Sequence, residues 1–197
     1  MANQALVEVI LHGREDRNRE YKCSMNWKES NTKAKVIKSA MAMANIPDGG
    51  AIVFGVEQNG ETFTPQGMNP EDADSFAQDD VMAKVNEYAD PCVELTVTQV
   101  DNDGKRFVVI QVKAFDQLPV VCRKDGQELK RGTIYTRSRR KYETAAVSSE
   151  SEMREILDRA MDIQLITLKR RGLVSLSGGI SAGPTDKARF EEQLGGL

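Results

Sequence analysis

Helix-like and strand-like stretches alternate along the chain and predict a single α/β domain, of the α+β kind, built on a mixed sheet. Three observations carry that prediction. Apolar residues recur at helical spacing over residues 32–45 and again over 150–170. Ala51 to Val56 is a continuous apolar run, as a buried central strand requires. Two strand-like runs, Val93 to Val100 and Phe107 to Val112, flank a tight turn at Asp101-Asn102-Asp103-Gly104.

In chain order, residues 2–12 read as a short helix with Leu6, Val9 and Ile10 on one face, ended by Gly13. Arg19 to Ser24 reads as a short strand. The clearest helix follows over 32–45, with Asn31 or Thr32 as its cap. Val36, Ile37, Ala40, Met41 and Ala44 form its apolar face. Pro47 cannot continue that helix, and Gly49-Gly50 permits a tight turn into the central strand. Asn45 is placed to hydrogen-bond that turn, and Gly55 to allow another backbone close. Asn59-Gly60 marks a further turn. Pro70 followed by acids starts a second helix running to about Tyr88, closed by Pro91. Pro119 to Cys122 and Thr133 to Arg137 read as short strands around a turn at Asp125-Gly126. Ser149 and Glu152 form a capping box for a long last helix, which Lys169, Arg170 and Arg171 terminate favourably. The domain is expected to span 1–171 including that helix, with 172–197 a Gly/Ser-rich flexible tail.

Composition excludes several functions. The 197 residues, 40% hydrophobic and 29% charged, are ordinary for one globular core. No apolar run approaches the roughly 20 residues of a membrane span, and the N-terminus makes a poor signal peptide. A cytoplasmic, membrane-free protein is expected. Cys23, Cys92 and Cys122 are far apart and His12 is the only histidine. A four-ligand zinc site and Ser-His or Cys-His chemistry are therefore disfavoured. The thiols are expected to be reduced and mostly buried. No G-x-x-x-x-G-K-[ST] string supports a Walker-type nucleotide site.

Charge is unevenly distributed along the chain. Glu57 to Gly104 holds twelve acids against the single base Lys84. Lys105 to Lys141 holds eleven Lys/Arg against three acids. A basic block attracts polyanions, so Arg123, Lys124, Lys130, Arg131, Arg137, Arg139, Arg140 and Lys141 are the candidate nucleic-acid contacts. Arg forks suit phosphate oxygens, and Tyr135 or Tyr142 could stack a base.

Three segments together carry a family resemblance: Glu15 to Lys22 (E-D-R-N-R-E-Y-K), the A-M-A-N-I-P-D-G-G-A-I-V-F-G-V-E string ending at Glu57, and Leu129 to Thr136 with Arg131-Gly132. Over about residues 13–145 the chain resembles the Schlafen/AlbA-like domain. The resemblance implies a mixed α/β fold with a basic groove. Some Schlafen relatives are endoribonucleases acting on tRNA and rRNA, with two glutamates five residues apart and a later aspartate as metal ligands. Glu15 and Glu20 match the pair; the third position falls near Glu57 or Gln58, and Glu57 would have to serve. The resemblance thus implies a Mg²⁺ or Mn²⁺ site of Glu15, Glu20 and Glu57. Lys22, on the same strand face as Glu20, could stabilise developing charge.

The leading expectation is a nucleic-acid-binding protein, RNA or DNA, extending to a metal-dependent endoribonuclease on structured RNA such as tRNA. The alternatives are a non-catalytic dimeric DNA/RNA-binding regulator, and a nucleotide-binding or protein-interaction module using the acidic stretch from Glu57 to Glu94. The wide apolar face of the last helix adds the expectation of a homodimer.

Overall fold

The computed structural model describes residues 2–139 and 141–173; the expected tail beyond Leu173, and Arg140, lie outside them. Helix α1 (Ala2–Leu11) precedes strand β1 (Arg19–Lys22) and helix α2 (Ser30–Ala44). α2 starts earlier than its sequence suggests. Asn26 already winds the chain, accepting the Lys28 N–H on Oδ1 at 2.9 Å and the Glu29 N–H on its carbonyl at 3.2 Å. β2 (Gly50–Phe54) follows the Pro47–Gly50 turn, and Gly49 sits there at φ +68° with no room for a Cβ against the Val112 carbonyl.

Gly55 then ends β2 at φ +98°, and Gly67 lies so close that a Cβ would meet its Cα at 3.1 Å, the close approach the sequence anticipates. Asn59-Gly60 turns β3 (Val56–Asn59) into β4 (Thr62–Pro65), a strand the sequence does not announce. The expected helix over 70–88 is two: α3 (Pro70–Asp74) and α4 (Gln78–Asn86). Ser75 breaks it. Its hydroxyl donates to the Asp72 carbonyl at 2.6 Å and accepts the Trp27 N–H at 2.8 Å. Phe76 is thereby turned inward, its ring centroid 4.7 Å from that of Phe54.

β5 (Ala89–Asp90) pairs with β8 (Val121–Cys122). β6 (Leu95–Asn102) and β7 (Lys105–Val112) form the expected hairpin, with Asp103 and Gly104 at positive φ. β9 (Tyr135–Arg137) pairs with β10 (Thr144–Ala146). α5 (Glu150–Arg170) begins where Ser149 Oγ accepts the Glu152 N–H at 3.3 Å, one half of a capping box. The chain divides into two compact units at Ala160/Met161, inside α5.

The main sheet has the order β1-β2-β7-β6. β1 runs parallel to β2, and the other pairs are antiparallel, so the sheet is mixed as expected. Register assigns the faces. Tyr21, Val53 and Val109 share one row and form a core with Leu6 and Ile10 of α1. Glu20, Ile52 and Ile110 share the next row and point to the opposite face, where Ser39 of α2 meets Glu20. Of the cysteines, expected to be mostly buried, only Cys122 is buried; Cys23 and Cys92 are exposed.

Asn45 does not serve its own turn. It is 1% exposed, accepts the Val120 N–H at 2.7 Å, and donates to the Val120 and Tyr135 carbonyls at 2.8 and 2.9 Å. One side chain thus ties the end of α2 to β9 and the segment before β8. Asn45→Ala leaves a buried N–H and two carbonyls unpaired and is expected to cost about 3 kcal/mol, read as a shift in urea unfolding midpoint.

Candidate nucleic-acid interface

β1 presents Glu20 and Lys22 on one face because strand side chains alternate. Glu20 is 8% exposed. Its Oε1 accepts from Lys22 Nζ at 2.5 Å and from Ser39 Oγ at 3.0 Å. Its Oε2 takes an ion pair from Arg137 Nη1 at 3.1 Å and a bond from Thr144 Oγ1 at 3.4 Å. Burial pushes this carboxyl up, but Lys22 and then Arg137 outweigh burial and leave it below the ordinary carboxylate value. Glu15 is half-buried beside it, and its Oε1 accepts the Tyr21 N–H at 2.8 Å. Burial is the larger effect there, and the Glu15 carboxyl lies above its ordinary value.

These groups line an open cleft of about 390 Å³ together with Lys35 and Lys38 of α2 and with Glu128, Tyr142, Glu143 and Thr144. Lys35 and Lys38 are half-buried, and no carboxylate lies within ion-pair distance of either among the described residues. Lys38 Nζ stands 5.7 Å from the Tyr135 ring centroid. Sequence reasoning missed both lysines. The signal was present: residues 30–44 carry three lysines and no acid, and neither Lys35 nor Lys38 has an acid three or four residues away to neutralise it.

The structure brings together Glu15, Glu20 and Lys22, but not Glu57. Glu57 is exposed on the β3–β4 hairpin and lines a neighbouring cleft of about 440 Å³, which shares Lys22 and Lys35 with the first. Gly55 redirects the chain between β2 and β3, so Glu57 does not continue the row that holds Glu20. Among the described residues no group of three or more His, Cys, Asp or Glu is placed to hold a metal ion. The three-glutamate set therefore does not fit a divalent cation as arranged.

Of the basic block, Arg137 alone lines this cleft among the described residues. Arg137 is 1% exposed, so it is no free phosphate contact. Its guanidinium donates to the Asp16, Arg17 and Arg19 carbonyls at 2.9, 3.3 and 3.0 Å while pairing with Glu20. Lys124 pairs with Glu87 and lies 4.4 Å from the Tyr88 ring centroid. Arg139 is exposed but bonded to Glu155 at 2.8 Å, where Arg17 binds the same carboxylate at 2.7 and 3.0 Å. Arg123, Lys130, Arg131 and Lys141 are exposed, and none of them lines the cleft. Tyr135 is buried, its hydroxyl accepting the Lys130 N–H at 2.8 Å, which leaves Tyr142 as the exposed ring at the cleft.

A family model described as "Schlafen, AlbA_2" matches residues 15–146. Among solved structures, the DIP2311 protein from Corynebacterium diphtheriae is similar with TM-score 0.50 and 17% identity, covering 78% of this chain and 28% of that one. The chain thus spans under a third of that protein's length, and the likeness is one of fold. The N-terminal domain of a RecG-related protein from Nitrosomonas europaea is similar with TM-score 0.47 and 23% identity, covering 64% and 82%. The comparison with curated proteins gives no match.

The Glu20 network has a pH signature. A carboxyl depressed on folding stabilises fully above its unfolded value of 4.5, and that contribution is lost as pH falls through the lower folded value. Glu20→Gln removes the titrating charge. The stability gap between wild type and this variant is expected to be widest near neutral pH and to narrow below 4.5, followed by urea midpoints across that range.

Proposed function

The chain belongs to the Schlafen AlbA_2 family, and on that premise we propose that it binds nucleic acid through the phosphate backbone, in the cleft between α2 and the β9–β10 hairpin. The observation that carries this reading is the pair Lys35 and Lys38. Two half-buried ammonium groups one turn apart, with no carboxylate partner among the described residues, face the same open cleft as Lys22. Ammonium groups in such a place attract phosphates and release their counterions. Tyr142 at the rim supplies a face on which a base can stack. The cleft offers point charges rather than a base-reading helix, so contact is with backbone and shape.

The finer reading, a metal-dependent endoribonuclease, keeps Glu15, Glu20 and Lys22 in one cleft but lacks a third ligand in Glu57. We propose the non-catalytic alternative, with labelled tRNA staying intact in Mn²⁺. Lys35→Ala and Lys38→Ala are each expected to weaken binding of a labelled RNA several-fold and to lower the slope of log affinity against log salt by about 0.7–0.9. Lys113→Ala, at a lysine paired with Glu94 outside the cleft, is expected to change neither. Equal slopes for all three variants would remove the cleft from the interface.

We also propose that the protein self-associates through α5. Met161, Leu165 and Ile166 are exposed on that helix, and helix faces of this kind pair in two-fold dimers. Light scattering on the full chain is expected to give a dimer, and Leu165→Glu a monomer.

A further inference from the structure

An ionised carboxylate has about four lone-pair sites, and at Glu20 all are taken. Lys22 and Ser39 occupy Oε1; Arg137 and Thr144 occupy Oε2. A divalent cation held by oxygens at about 2.0–2.6 Å would have to displace one of these donors. Displacing Lys22 or Arg137 strands a cation that is itself largely buried. Glu15 gives one oxygen to the Tyr21 N–H, and Glu57 opens on the adjoining cleft. The local chemistry is thus already balanced by protein cations.

Lys22 is nevertheless not exhausted. An ammonium has three donors; one is held by Glu20, and Lys22 lines the cleft shared with Lys35 and Lys38. We infer that phosphate in this cleft is held directly by Lys22, Lys35 and Lys38 without a bridging divalent cation, and that Glu20 is a positioning residue for Lys22 and Arg137 rather than a metal ligand. This rests on the phosphate-binding reading above and deepens it. The cleft carries Glu15, Glu20, Glu128 and Glu143 beside Lys22, Lys35, Lys38 and Arg137, so removing the charge of Glu20 shifts the balance toward the cations and strengthens the hold on a polyanion. A metal ligand at the same position would have the opposite effect.

The test has two arms on the full chain. In the first, ¹⁵N-labelled protein without nucleic acid is titrated with Mn²⁺, and broadening of the Glu20, Ser39 and Thr144 amide signals is read. None is expected; saturable broadening at all three overturns the inference. In the second, binding of a short fluorescein-labelled single-stranded RNA is compared in Mg²⁺ and in EDTA at matched ionic strength, for wild type and Glu20→Gln. Affinities within about twofold in the two media, and Glu20→Gln binding equally or a few-fold tighter with a steeper salt slope, support it. A tenfold loss in EDTA together with weaker binding by Glu20→Gln overturns it. If Glu20→Gln does not fold, the Mn²⁺ arm on the wild type decides. If the RNA is bound in neither medium, the phosphate-binding reading fails, and the Mn²⁺ arm alone decides whether Glu20 is a metal ligand.

Discussion

Arg137 brings a full positive charge into a position that is 1% exposed, and its partners come from separate parts of the chain. Three backbone carbonyls of the segment before and at the start of β1, together with the Glu20 carboxylate, receive its donors. β9 belongs to a two-stranded sheet of its own, so no ladder of backbone bonds joins it to β1. The guanidinium replaces that ladder. Removing one partner of such a buried pair typically costs about 3–5 kcal/mol, because the other charge is left without compensation. The cleft exists because this link holds β9–β10 against the strand that carries Glu20 and Lys22.

The parts of the fold with strong periodicity were legible in the sequence. α2 has an apolar face at helical spacing, β2 is apolar throughout, and the β6–β7 hairpin is set by its Asp-Gly turn. What escaped depended on contacts distant in sequence. The break between α3 and α4 comes from Trp27, whose N–H engages Ser75, and from the pocket that takes Phe76. β5, β8 and β10 are two or three residues long and are strands only because a partner lies beside them. Asn45 looked like a turn residue; its actual partners, Val120 and Tyr135, are 75 and 90 residues away.

Half of the site was legible for a similar reason. Glu20 and Lys22 share a face by strand alternation, which spacing alone reveals. Glu57 lies three residues past Phe54, the end of β2, and whether it meets Glu20 depends on what Gly55 does at positive φ. Lys35 and Lys38 escaped because they lie outside the densest run of basic residues, and only the lack of neighbours of opposite sign marks them. A cation counts for recognition when it has no carboxylate to satisfy it, and that property is spatial.

The same distinction reduces the asymmetry of charge along the chain. Part of the acidic stretch from Glu57 to Gly104 pairs with part of the basic stretch from Lys105 to Lys141. Arg106 pairs with Asp74 and Asp101, Lys113 with Glu94, and Lys124 with Glu87. Lys84, the one base in the acidic stretch, shares Glu87 with Lys124, and that carboxyl is drawn down to about 2 by the two ammonium groups. Glu71, Asp72, Asp79 and Asp80 stand in the first turns of α3 and α4, where the helix dipole favours them. Exposed pairs of this kind add little stability each, but they remove their members from competition for a polyanion or a basic partner. Arg123, Lys130, Arg131 and Lys141 stay exposed without an ion pair among the described residues, but none of them lines the cleft. The unpaired charge at the cleft lies on α2, outside both stretches, which is why the site is small, directional and set by the helix that packs against Glu20.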